Sequence, residues 1–167
     1  MIMRLLTHFL VLITALLLQA VVAPSMAVAG VVPNLVMLTV LMIALFAGPG
    51  MGVRYGFAAG LSLDILSGGE AILGVSALLL LLAGYGAGLA GPYIAASQIS
   101  GQMIVGGAGV LALLLAEGLF SFMLGREPVS VLSLLQDAAL SGLYAALLAP
   151  ILGMLVGRLQ RGLPEPG

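Results

Sequence analysis

Six apolar runs, each near the length that crosses a bilayer, follow one another along this 167-residue chain, and four of its five arginines fall to one side of them. Crossing the hydrocarbon core as a helix takes about 20 apolar residues, with a working range of about 17–25. The candidate spans are 5–22, 32–46, 52–66, 72–90, 103–124 and 138–159. The second and third are short and are separated by Ala47-Gly48-Pro49-Gly50, a turn that predicts a tight helix connection rather than one re-entrant hairpin. Only 7% of residues are charged and 62% are hydrophobic. A soluble domain carries about 25% charged residues and could not cover its surface with so few, whereas lipid accepts apolar surface without cost. The predicted fold is an all-α polytopic membrane protein, one six-helix domain with no room for a separate soluble unit.

The start of the chain has some features of a secretory signal: Arg4 precedes an apolar stretch, and Ala27-Val28-Ala29 resembles a cleavage site. The run Leu5–Ala23 exceeds the 7–15 residues of a signal core, and further apolar runs follow it, so an uncleaved helix is expected.

With six spans, Arg4, Arg54, Arg158 and Arg161 share one side and only Arg126 lies opposite. Cytoplasmic loops carry the excess of positive charge, so both termini are expected in the cytoplasm, with Glu70, Glu127 and Asp137 outside. A five-span alternative would place the C-terminal arginines outside and split the bias, so six spans are expected. The outer segment Gly125–Gln136 carries Val129, Val131, Leu132, Leu134 and Leu135, which predict a short helix lying at the interface with Pro128 in its first turn. The inner loop Gly91–Gln102 is uncharged and rich in small residues.

Several chemistries are excluded by content. There is no cysteine, hence no disulfide and no thiolate metal site. The single histidine, His8, has no nearby carboxylate companions for a metal, and without Cys or Lys no nucleophile–base pair stands out. A net charge of −1 gives no basic footprint for nucleic acid. With no tryptophan, five phenylalanines and four tyrosines, a large aromatic-lined ligand site is disfavoured. No catalytic residue, metal ligand or cofactor site is assigned.

The third run holds the strongest pattern. Gly52, Gly56, Gly60 and Asp64 recur every four residues and form one stripe on a helix. Small residues at this spacing let another helix backbone approach closely. One reading is a docking face for a partner, with Asp64 bonded to a neighbouring chain or to a loop amide; the plainer reading is internal packing, with Asp64 capping the turn Ser67-Gly68-Gly69. On the first reading, replacing Gly56 or Gly60 by Leu abolishes partner binding and leaves the protein inserted. Gly84/Gly88 and Gly153/Gly157 repeat the small-residue spacing elsewhere.

Glu117 is the most deeply intramembrane acid, with Ser121 one turn on and no basic residue in the spans to pair with. An intramembrane acid is by default a functional candidate. Proton or cation relays use several ionisable groups, so a hydrogen bond to another helix is expected instead. Asp137, Ser141 and Tyr144 fall at helical spacing and predict a small polar face at the outer interface, while His8 and Gln19 are isolated in the first run.

The order of motifs across Val32–Ala90 resembles the MreD family of bacterial rod-shape-determining membrane proteins. The matching features are Pro33-Asn34 opening the second run, the Gly48-Pro49 turn, the helix ending in Leu63-Asp64-Ile65-Leu66-Ser67-Gly68, and Leu73-Gly74-Val75-Ser76-Ala77 leading into Gly84-Tyr85 and Gly88. Pro33, Asn34, Gly56, Gly60, Asp64, Ser67 and Gly68 carry over as family positions. The resemblance implies a non-catalytic six-helix protein of the bacterial inner membrane without cofactors. It implies MreC as direct partner and, through it, the MreB filament, a SEDS-type glycan polymerase and a class B penicillin-binding transpeptidase of the wall-elongation machinery. It also implies a fold like that of the substrate-binding S-components of energy-coupling-factor vitamin transporters.

The expected function is therefore a membrane scaffold that maintains rod shape. A vitamin-binding S-component is the alternative, but its pocket would be built from 67–72 and 125–137, which are short and poor in donors and acceptors, and the first run lacks the Ala-xxx-Ala spacing used for docking. A small proton-coupled carrier using Glu117 is a third possibility.

Overall fold

The run 35–47 contains no charged residue, and it forms the helix on which every other helix packs. The computed structural model describes residues 2–27, 30–66, 74–94, 98–125 and 130–161, with side chains described from Phe9 to Leu159 within those bounds. They form six α-helices: α1 (Ile2–Val21), α2 (Leu35–Ala47), α3 (Pro49–Leu66), α4 (Val75–Ala90), α5 (Ile99–Met123) and α6 (Val131–Arg161). A short 3-10 turn, Ala23–Met26, follows α1, and no β-strand occurs among the described residues.

Ten consecutive residues of α2, Val36–Leu45, are buried. With apolar side chains nearly all round, this helix has no polar face to turn outward and belongs in the centre. The surrounding helices are two-faced in a different sense, because both faces are apolar. On α4, Ala77, Leu80, Gly84, Ala87 and Gly88 face inward, while Leu78, Leu82, Tyr85 and Leu89 are exposed. On α6, Ala138, Ala145, Ala149 and Val156 face inward, while Leu143, Leu147, Ile151 and Met154 are exposed. Exposed apolar stripes at helical spacing on several helices suit lipid and not water. Ile99–Met123 and Val131–Leu159 are long and apolar enough to cross a membrane, and Phe9–Val21, Leu35–Ala47 and Val75–Ala90 are shorter apolar helices.

The boundaries differ from the sequence expectation in three places. Only Gly48 separates α2 from α3, because its φ of +86° makes the reversal in a single residue and Pro49 then serves as the first residue of α3. Helix α5 starts at Ile99, so Ile99–Gln102 is helix rather than inner loop. The segment from Val131 to Gln136 is not a separate interfacial helix: it is the opening of α6, continuous to Arg161 with Pro150 inside it. The Leu134 side chain seats over Gly118 of α5, which draws this segment along α5. Pro128 and Val129 lie outside the described residues.

Alternating helix directions sort the polar groups to opposite ends. Gln19, near the end of α1, meets Leu35 at the start of α2, so these helices run antiparallel. Gly157, near the end of α6, lies over Phe46, near the end of α2 and beside the start of α3. Arg54 and Arg158, both exposed, therefore share the end at which α1 begins with Arg4. Asn34, Asp64 and Glu117 lie toward the other end.

Candidate functional site

Helix α2 is about 20 Å long, shorter than a hydrocarbon core of about 30 Å. The amides at its start are part-buried, and a buried amide left unpaired costs about 1–3 kcal/mol. Two side chains serve them. Asn34, at the N-cap, accepts from the Met37 amide through Oδ1 at 3.1 Å. Gln19 of α1 accepts from the Leu35 amide through Oε1 at 2.6 Å. Gln19 is thus not isolated: it pins the end of α1 to the start of α2. Pro33, fully buried just ahead of the cap, brings no amide of its own.

The start of α4 shows the same solution. Its N-cap is Gly74, in the left-handed region at φ 98°, with no side chain to cap the helix. Asp64, buried near the end of α3 at 2% exposure, supplies the carboxylate from the neighbouring helix. Its Oδ2 accepts from the Gly74 amide at 2.7 Å and lies 3.4 Å from the Ala77 amide. A carboxylate at a helix N-terminus is also favoured by the helix dipole. Asp64 Oδ1 has no hydrogen-bond partner among the described residues. Ser67 and Gly68, with the turn that Asp64 was expected to cap, lie outside the described residues.

Beside this cap, the Glu117 side chain of α5 lies within reach of the Ser76 side chain of α4 and near Asp64 of α3. These polar neighbours belong to other helices. Asp64, Ser76 and Glu117 thus join α3, α4 and α5 at one end of the bundle. No group of three His, Asp or Glu side chains that could hold a metal occurs among the described residues. The other polar candidates do not join the cluster. Asp137 is exposed whereas Ser141 is buried, so the expected outer polar face of α6 is not continuous. The side chain of His8 lies outside the described set.

The glycine stripe is occupied within the chain. A Cβ placed on Gly52 would strike the Gly84 carbonyl, one on Gly56 the Leu80 carbonyl, and one on Gly60 the backbone of Ser76 and Ala77. Gly84 and Gly88 of α4 are the reciprocal half, closing on Gly52 and Pro49. Backbones this close are possible only without side chains between them. The docking groove expected on span three is accordingly filled by α4, and Asp64 closes the same seam at its far end. What sequence reasoning missed was the partner of each polar group; Gly84/Gly88 was the available signal for the partner of the stripe.

These features define a class: a helical bundle with lipid-compatible outer faces, whose polar residues cap helix ends inside it. The comparison with protein families is specific. The family described as rod shape-determining protein MreD matches residues 1–159. The chain belongs to the MreD family, and is thus a rod-shape-determining membrane protein. No match was found among curated proteins or among solved structures.

Proposed function

We propose that this chain is a non-catalytic scaffold of the wall-elongation machinery, held in the bacterial inner membrane by six crossings and binding an MreC-type partner. The family match over residues 1–159 carries this reading. The structure supports it with a bundle whose polar groups serve helix ends and whose exposed stripes suit lipid. Through MreC the chain would contact the MreB filament, a SEDS-type polymerase and a class B transpeptidase only indirectly. Arg54 and Arg158 at one end and the acids toward the other support a cytoplasmic location for both termini. Nothing in the comparisons supports the vitamin-carrier alternative.

A scaffold so poor in polar loops meets its partners largely within the membrane. The stripe Gly52, Gly56 and Gly60 is turned to α4, so the partner must use another face. The test is co-purification of MreC with the tagged full chain from membranes producing both, beside an unrelated one-span protein. Selective recovery of MreC is expected. Recovery no greater than that of the unrelated protein would refute the proposal.

A further inference from the structure

Arg54 and Arg158 share one end of the bundle but not one depth. The packing register sets their levels. Gly52 of α3 meets Ala44 of α2, Gly157 of α6 meets Phe46 of α2, and Leu38 and Ala149 both flank Gly106 of α5. Helices α2 and α6 therefore run parallel, with Leu38 level with Ala149 and Phe46 level with Gly157. Arg54, half a turn beyond Gly52, stands opposite Met42, which is level with Gly153. At 1.5 Å per residue that is about 7–8 Å deeper than Arg158. Arg158 in turn marks an edge of the hydrocarbon. The apolar stretch of α6 between the exposed Asp137 and Arg158 is about 30 Å long, the thickness of a hydrocarbon core. Arg54 is thus exposed more than one turn inside that edge.

Its surroundings within the chain offer no counter-charge. Asp64, Glu117 and Asp137 lie toward the other end, and no ion pair to Arg54 occurs among the described residues. The next outward residues along α3 are Phe57 and Ala58. Near the same level α6 exposes only Ile151, Met154 and Leu155. Helices α3 and α6 pack chiefly on different neighbours, α4 and α5, so the cation stands on one side of the bundle only. A lone cation inside hydrocarbon is relieved by snorkelling and by local thinning of the bilayer. Helical Cα–Cβ bonds tilt toward the N-terminus, and α3 begins at the arginine-bearing end, so Arg54 leans toward the near headgroups. Gly50, one turn closer to that end, is exposed with open space where a Cβ would stand. Tyr85 of α4 is exposed at the level of Met51, because Gly84 meets Gly52, and tyrosine rings settle at headgroup depth. The planar fork of arginine matches a phosphate through paired N–H bonds.

We propose that Arg54 binds the phosphate of a bilayer phospholipid and draws the headgroup layer inward beside α3, so that the hydrocarbon is thinner there than beside α6. The inference rests on the proposed crossings of α3 and α6 and is independent of MreC. The test uses the full chain in phosphatidylcholine nanodiscs, spin-labelled at Phe57→Cys or at Ile151→Cys. By the same register these two exposed positions stand within about 1.5 Å of one level. Collision with oxygen and with a water-soluble nickel chelate reads the depth of each label. The Phe57 label should lie several ångström nearer the headgroups than the Ile151 label, and Arg54→Leu should remove the difference. Should the leucine variant fail to fold, Arg54→Gln decides. In chain carrying ¹³C at arginine Cζ, the signal lost in the Arg54 variant should dephase against lipid phosphorus. Both labels at one depth in hydrocarbon, a difference that survives the loss of Arg54, or no phosphorus contact would overturn the proposal and leave the crossings standing. A water-exposed Ile151 label would overturn the crossings with it.

Discussion

Helix α4 carries small residues on two faces, and the two faces behave oppositely. Gly84 and Gly88 are closed against Gly52 and Pro49 of α3, with no space for a single added carbon. Gly86, between them in sequence, has nothing within 4 Å of where its Cβ would stand. With Ala83, Ala90 and the α5 residues Ala108 and Ala112 it borders an open groove of about 490 Å³. Small side chains permit close approach but do not bring it about. The α3 face is closed because two glycine rows meet and Asp64 bonds the start of α4. The α5 face stays open although Ala108, Ala112 and Ala116 line it at four-residue spacing.

Substitutions should break these two faces unequally. The largest effect is expected for Gly56→Leu or Gly60→Leu, where the obstacle is backbone: overpacking costs typically about 1–3 kcal/mol and more where nothing can yield. Loss of most of the monodisperse protein on size exclusion in detergent is expected, so these variants do not isolate partner binding as the spacing alone suggested. Next comes Asp64→Ala, which strips the acceptor from the start of α4 and should cost about 1–3 kcal/mol in thermal unfolding, with Asp64→Asn milder because an acceptor oxygen remains. Asn34→Ala removes an N-cap and should cost about 1 kcal/mol by the same assay. Glu117→Gln keeps a group able to bond Ser76 and should change stability by less than about 1 kcal/mol. Gly86→Ala, on the open face, should fall within about 0.5 kcal/mol of the unaltered protein. Equal effects at Gly56 and Gly86 would mean that the closed seam is not what holds α3 to α4.

Much of the helical outline was legible because each apolar run produces one helix. Termini were harder: nothing in 125–136 distinguishes a helix on the interface from the first turns of α6, since both are written in the same leucines and valines. The stripe on α3 was legible as a contact face, but its partner was not, although Gly84 and Gly88 repeat its spacing on the next helix. The polar pairs were hidden for a different reason. Gln19 with the Leu35 amide, Asp64 with the Gly74 amide and Glu117 with Ser76 each join residues set together by helix packing. An isolated polar residue in an apolar run signals that some buried donor or acceptor needs it. It does not say which one.

The proposed topology has helices that alternate in direction through the bilayer, with the arginine-bearing end toward the cytoplasm. The chain has no cysteine, so single cysteines report cleanly. The most direct test is labelling of Met3→Cys and Leu159→Cys by a membrane-impermeant maleimide, in intact cells and in inverted membrane vesicles. Both positions should react only in inverted vesicles. Reaction of one position in intact cells and of the other only after inversion would contradict the account.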